Sequence, residues 1–143
     1  MCKLYMMVSA SGAGKTTKAK ELAAKYKAII CSADHYFYDV FGVYRFDASK
    51  LGHAHKMCYD KAVRNLELNL DVIIDNTNAN ARDRKVYEDL AKSMGVTVEY
   101  VEPDTPWRYD IEELMKKNTK GTPREAIERQ LKGVLAWKNQ NMC

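Results

Sequence analysis

Along this chain, short apolar runs alternate with stretches whose apolar residues recur every three or four positions, a pattern that predicts strands alternating with helices. Leu4 to Val8 is an unbroken apolar run and reads as a buried strand. Small residues follow it, then a lysine- and alanine-rich helical stretch ending near Tyr26. Ala28 to Cys31 predicts a second, short strand, followed by a polar turn carrying Asp34. From Asp47 onward, Leu51, Ala54, Cys58, Ala62 and Leu66 recur at helical spacing, with Asp47 as the expected N-cap. Asp71 to Asp75 reads as a third, fully buried strand ending in an acid. Asn76-Thr77-Asn78 then leads into a helix from about Ala81 to Met94, which Gly95 stops. Val96 to Glu102 alternates as a fourth strand, and Pro103 and Pro106 bracket a loop. The remainder is helical on both sides of Gly121-Thr122-Pro123. The expected fold is α/β, a central parallel sheet of about four strands with helices on both faces.

The string between the first strand and the first helix, Ser9-Ala10-Ser11-Gly12-Ala13-Gly14-Lys15-Thr16-Thr17, changes this from a fold expectation into a chemical one. Strand, glycine loop and helix together read as a phosphate-binding P-loop, so the fold expected is the kinase-type P-loop NTPase with a helical lid. Small residues at Ser11, Gly12, Ala13 and Gly14 let backbone N–H groups close around phosphate oxygens. The helix N-terminus adds its partial positive charge. Lys15 is expected to reach the β- and γ-phosphates of ATP, Thr16 to place its hydroxyl on Mg2+, and Thr17 to cap the helix or meet the α-phosphate. Ser9 stands where the usual pattern begins with glycine, which puts the first turn of the loop in question.

Composition narrows the class further. At 143 residues the chain has the size of one domain, residues 1–143. A net charge of +4, with acids and bases mixed throughout, allows contact with polyanions but lacks the basic block of a nucleic-acid tail. Cys2, Cys31, Cys58 and Cys143 are scattered without a Cys-x-x-Cys pair, so free thiols in a reducing, cytoplasmic compartment are expected rather than disulfides or zinc. The first dozen residues imitate a signal peptide, yet their apolar stretch runs straight into the glycine loop and is better read as strand one. No run approaches the roughly 20 apolar residues of a membrane span, and no membrane contact is expected.

Two acids sit where open parallel sheets place ligands, at the carboxyl ends of strands. Asp34, past the second strand, is the candidate general base that orients an acceptor hydroxyl and takes its proton; capping of local amides in Ser32-Ala33-Asp34 is the competing reading. Asp75, ending the third strand, is the candidate second ligand for Mg2+ beside Thr16; satisfying backbone groups in the Asn-rich turn is the alternative. Lys116, Lys117, Lys120 and Arg124 surround the glycine-proline turn without an intervening acid. They read either as a lid closing over a triphosphate or as a solvated helix end. Between Asp34 and the long helix lie Tyr36, Phe37, Tyr38, Phe41, Tyr44 and Phe46 with Arg45, rings that could stack bases or wedge the loop onto the sheet. Trp107 and Trp137 read mainly as core or cap residues. His53 and His55, two apart, cannot chelate one metal, and His55 is either a buried polar residue or points into the acceptor cleft.

Several strings recur in order with those of a known family: Asp34-His35-Tyr36-Phe37, Gly42-x-Tyr44-x-Phe46-Asp47, Ala54-His55, Asp75-Asn76-Thr77-Asn78, Glu102-Pro103-Asp104-Thr105-Pro106-Trp107 and Asn118 to Pro123. On these the chain resembles the P-loop kinases of the NEDD4-binding protein 2-like family, similar in turn to the kinase domain of phage polynucleotide kinase. The resemblance spans nearly the whole chain. It implies transfer of the ATP γ-phosphate to a hydroxyl, with nucleic-acid 5′-OH ends the best-known acceptor. Asp34, Phe37, Tyr44, Arg45, His55, Asn76 and Asn78 are the expected acceptor-side residues, and the resemblance, which includes a basic lid, favours catalytic lid roles for Lys117, Lys120 and Arg124. Phe37 stands where the phage enzyme has arginine, Lys120 where histidine is usual and Lys117 where arginine is usual. Lysine keeps the charge but loses the bidentate fork. A hydroxymethylated base in DNA or a nucleoside are the alternative acceptors, and a non-catalytic nucleotide-binding module is the alternative of another class.

Overall fold

The computed structural model describes residues 2–141. Four strands, β1 (Lys3–Met7), β2 (Ile29–Cys31), β3 (Val72–Ile74) and β4 (Thr97–Val101), form one sheet in the order β2-β3-β1-β4. Every pairing is parallel, as the alternation of elements requires: Leu4 lies opposite Val72 and Val98, and Ile29 opposite Val72. The five helices are α1 (Lys15–Tyr26), α2 (Leu51–Glu67), α3 (Ala81–Met94), α4 (Ile111–Lys117) and α5 (Arg124–Gln140). β2, β3 and β4 are one or two residues shorter than the apolar runs suggest, β1 keeps its length but starts one residue earlier, and α3 matches its expected span. Asp47 caps not α2 itself but a 3-10 turn, Ala48–Lys50, that feeds into it.

The two central strands carry the core because each has a neighbour on either side and helices on both faces. Leu4, Met6, Val72 and Ile74 point to one face, where α2 supplies Ala54, Cys58, Ala62 and Leu66 and α3 supplies Tyr87, Leu90 and Ala91. Tyr5, Met7 and Ile73 point to the other, against Ala19 of α1. The small residues along α2 let that helix lie close to the sheet. At the carboxyl edge, α4 and α5 fold over the strand ends, and Leu114 and Ile127 pack under Ala10 and Ala13 of the loop after β1.

Asn78 ties this edge together. Its φ of 47° is left-handed, a region asparagine tolerates better than most residues. Its side-chain amide, 2% exposed, donates to the Met7 carbonyl at 2.7 Å and to the Ile74 carbonyl at 3.4 Å, joining the ends of β1 and β3. Arg84 reaches the Asn78 carbonyl at 3.0 Å. Asn78 is therefore structural, and the acceptor-binding role expected of it is corrected: a buried amide already engaged with two strand ends has no donor left for a ligand. Cys2, Cys31 and Cys58 are free thiols, and burial pushes Cys31 up to about 12. Cys143 lies outside the described residues. No helix among them is long and apolar enough to cross a membrane.

Candidate active site

The loop from Ser9 to Thr17 closes over the carboxyl end of β1, at the mouth of a cavity of about 690 Å3. Ser9 resolves the doubt about its first turn. It is not in the left-handed region, and its N–H donates to the Thr77 carbonyl at 3.0 Å, so nothing there demands glycine. Gly12 and Gly14 do need to be glycine, with φ of 88° and 94°. A Cβ on Gly12 would also strike the Leu114 carbonyl.

The back of this loop is clasped from outside. Trp107 Nε1 donates to the Gly12 carbonyl at 3.0 Å, and Thr105 Oγ1 donates to the Ala13 carbonyl at 2.7 Å. A trans peptide puts its N–H opposite its C=O. Holding the Ala13 carbonyl outward therefore turns the Gly14 N–H inward, toward the place of a phosphate. Gln130 Oε1 accepts from the Ser11 N–H at 2.9 Å and fixes the loop to α5. Ala13 itself is buried beneath the loop rather than exposed to the cavity. Trp107 and Thr105 belong to the string Glu102 to Trp107, which marks them in the sequence but does not say what they hold.

Lys15 opens α1 with its side chain buried against the cavity floor and makes no ion pair among the described residues. Burial lowers its proton affinity, against the pull of Asp75 and Asp34. A lysine kept short of counter-charge is suited to receive phosphate oxygens. Thr16 and Thr17 face the cavity. Thr16 Oγ1 donates to Asp75 Oδ2 at 3.2 Å, and Asp75 Oδ1, buried, has no hydrogen-bond partner. A buried carboxylate oxygen left unpaired beside a threonine hydroxyl fits a hard cation that also takes phosphate oxygens and water. Among the described residues there is no cluster of three or more His, Cys, Asp or Glu that could hold a metal.

Asp34 sits in a 3-10 turn, Ala33–Phe37, that Ser32 caps and that Asn76 supports by accepting from the Ala33 N–H at 2.9 Å. Its carboxylate faces the same cavity as Lys15. Oδ2 accepts from Lys120 Nζ at 2.6 Å and Oδ1 from the Tyr44 hydroxyl at 3.3 Å. Burial pushes the Asp34 carboxyl up, but the hydrogen bond and charge of Lys120, helped by Lys15, outweigh it and hold it below the usual carboxylate range. Burial, then the neighbouring Asp34 charge, raises the Tyr44 phenol to about 12, so it stays a donor. The loop that brings Lys120 in is ordered by Asn118, which accepts from the Lys120 N–H at 3.2 Å and donates to the Thr122 carbonyl at 3.0 Å.

The expected acceptor and lid residues divide. Tyr44, His55 and Asn76 line the cavity, and His55 is exposed there rather than buried. Phe37 lines it too, but at 6% exposure it is a wall packed against Tyr44 and Phe46. Arg45 does not reach the cavity: it turns outward, with Nε on Asp39 Oδ2 at 2.8 Å. Lys117 lines the cavity and rests 4.5 Å from the centre of the Trp107 ring, a cation–π contact with the clasp. Arg124 is corrected: it is exposed, paired with Glu112 at 2.7 Å and Glu128 at 3.8 Å, and does not line the cavity. Lys116 pairs with Glu113. Arg129 and Gln130, one turn further along α5, take the inward place instead. The signal was present as helical spacing, since Ala126, Arg129 and Gln130 share one face.

A parallel sheet carrying a glycine loop, with a lysine and a threonine at the start of the following helix, defines a P-loop nucleotide-binding domain of the kinase type. Residues 4–139 match the AAA domain family, and the chain belongs to it. It is 35% identical over 130 residues to human NEDD4-binding protein 2, covering 90% of this chain and 7% of that much longer protein. A chain of the Pnkp1/Rnl/Hen1 RNA repair complex superposes with a TM-score of 0.73 at 23% identity, over 97% of this chain and 46% of that one. The Mycobacterium tuberculosis APS kinase CysC in complex with AMPPNP and APS gives 0.60 at 17% identity, over 84% and 70%. At these identities the likeness is one of fold.

Proposed function

We propose that the chain transfers the γ-phosphate of ATP to a hydroxyl of a nucleic acid, with a polynucleotide 5′-OH as the acceptor. The observation that carries this reading is the placing of an unpaired lysine, Lys15, and a carboxylate, Asp34, on one cavity. Lys15 and the inward amides of the loop neutralise the phosphates. Asp34 accepts the proton of the acceptor hydroxyl as its oxygen bonds to the γ-phosphorus, and the bond to the β,γ-bridging oxygen breaks, leaving its electron pair on ADP. Thr16 and Asp75 would hold Mg2+, which supplies charge neutralisation at the phosphates when bound.

In the resting arrangement Lys120 occupies the base. A triphosphate offers the lysine a second anion, and its move toward the transferring group frees Asp34 and raises its proton affinity when a base is needed. One residue thereby stabilises the developing charge and times the base. The acceptor class draws support from the RNA repair complex among the structural relatives and from the aromatic wall beside Asp34. Phe37 brings no cation to the acceptor, so recognition there relies on rings rather than on an ion pair.

The test is transfer of labelled γ-phosphate from ATP to 5′-OH DNA and RNA oligonucleotides, hydroxymethylated duplex DNA and free nucleosides, across a salt series. End-labelled oligonucleotides with a rate that falls as salt rises are expected. Label on nucleosides alone would refute the nucleic-acid reading, label on internal modified bases would replace ends by bases, and absence of ATP turnover would leave a binding module.

A further inference from the structure

Between Tyr38 and Tyr44 the chain forms a small hairpin with an apolar tip. Its arms meet at an antiparallel bridge between those two tyrosines. Hydrogen bonds from the Gly42 N–H to the Asp39 carbonyl and from the Asp39 N–H to the Val43 carbonyl, both 3.0 Å, close the turn. The Asp39 carboxylate accepts from the Phe41 and Val43 amides at 2.9 and 3.0 Å, and Arg45 balances its charge. The turn is thus ordered from within, yet it holds Val40 94% and Phe41 87% exposed. Two adjacent apolar side chains held in water on an ordered turn point to a surface that is covered in use.

What covers it follows from where the hairpin leads. Tyr38 meets Tyr44 edge-on with centroids 5.3 Å apart, Tyr44 meets Phe37 at 6.1 Å, and Phe37 meets Phe46 at 5.0 Å. The last three rings line the cavity, and Tyr44 donates to Asp34. The run of rings therefore passes unbroken from the candidate base to the hairpin. Asp39 to Gly42 is a β-turn, so Phe41 stands at the bend just beyond the Tyr38–Tyr44 pair rather than at the end of an extended segment.

We propose that the hairpin tip, Phe41 with Val40 beside it, is a stacking platform for downstream bases of a single-stranded acceptor whose hydroxyl meets Asp34. This rests on the nucleic-acid reading of the acceptor given above. Stacking on a ring face tolerates any base, so the platform selects strand length and single-strandedness rather than sequence. A duplex keeps its bases stacked on each other and gains less.

The test compares the KM for 5′-OH oligonucleotides of two and eight nucleotides in the wild type, Phe41→Ala and Phe41→Trp. In the wild type the eight-mer binds better than the dimer. Phe41→Ala raises the KM for the eight-mer roughly tenfold while leaving the dimer far less affected, and Phe41→Trp retains the length preference. An eight-mer KM unchanged in Phe41→Ala, or equal losses for both lengths, would overturn the platform. Oligonucleotide labelling by the wild type would then still sustain the acceptor class. Transfer to nucleosides alone would overturn both readings. If Phe41→Ala left oligonucleotides unaffected but abolished a complex with a protein, the tip would be a protein-docking surface and the platform would fall.

Discussion

On the donor side of the cavity the chain is held from behind. Gly12, Ala13 and Ser11 each give a backbone group to Trp107, Thr105 and Gln130, and Leu114 fills the space behind Gly12. On the acceptor side Asp34 is held by two side chains, Lys120 and Tyr44, each on a loop outside the sheet and its helices, and Tyr44 begins an arm of the exposed hairpin. In the proposed reaction the donor side presets shape, because a triphosphate is one object whose oxygens can be met by fixed amides. The acceptor side presets charge and leaves shape to the rings and the segment that carries Lys120. A site made this way keeps its nucleotide geometry while its acceptor contacts are free to differ.

The strongest test of that division is a pair of substitutions across the cleft. Asp34→Asn keeps shape but cannot take a proton, so kcat is expected to fall by about a hundred- to ten-thousandfold with ATP affinity retained. Lys15→Ala is expected to cost about a hundred- to a thousandfold and to weaken ATP binding as well. Steady-state kinetics with nucleotide titration checks both, and parallel losses in ATP affinity would break the division.

Lys120→Met removes the cation paired with Asp34. A fall in turnover of about ten- to a hundredfold is expected. With the cation gone, burial governs Asp34 and its proton affinity rises, so the acidic limb of the pH–rate profile moves to higher pH. The same sign applies to stability. The contribution of a depressed carboxylate is present above its unfolded value and lost as pH falls through its folded value, so the variant should lose it. An unmoved limb would mean that Lys120 does not govern the base.

Thr105→Val is close in shape and deletes one hydrogen bond behind the loop. The KM for ATP is expected to rise about three- to tenfold with kcat nearly kept, and Thr105→Ser should restore it. Because the clasp orients amides that meet the phosphates, affinity for ADP should fall while that for adenosine does not. The smallest effect is expected for Arg124→Ala, which removes an exposed ion pair with Glu112 and should leave turnover within about twofold. Arg129→Ala, on the inward face, should raise the KM for ATP.

Sequence made the strands, the glycine loop and Asp34 legible because each is a local pattern with a physical cause: an apolar run, a small-residue string before a helix, an acid just past a strand. The lid was only half legible. Lys117 and Lys120 face inward, but Arg124 is claimed by Glu112 on the preceding helix α4 and by Glu128 one turn on, and only the second spacing is visible in the chain. Asn78 carried the composition of a ligand-binding turn, yet its burial and left-handed backbone are set by strand ends about seventy residues apart. The clasp was hidden for a similar reason. Trp107 looks like core in a sequence, and only the approach of the segment after β4 to the loop after β1 gives its indole N–H an acceptor.

That remoteness has a consequence for the motif itself. Ser9 hangs from Thr77, Met7 from Asn78, Gly12 from Trp107 and Ser11 from Gln130, partners that lie 68 to 119 positions along the chain. A synthetic peptide covering residues 1–30 would contain the entire phosphate-binding string and lack all four of these supports. Nucleotide affinity in this molecule is an emergent property of the finished sheet, and during refolding it should return together with the last cooperative step rather than with the first helix.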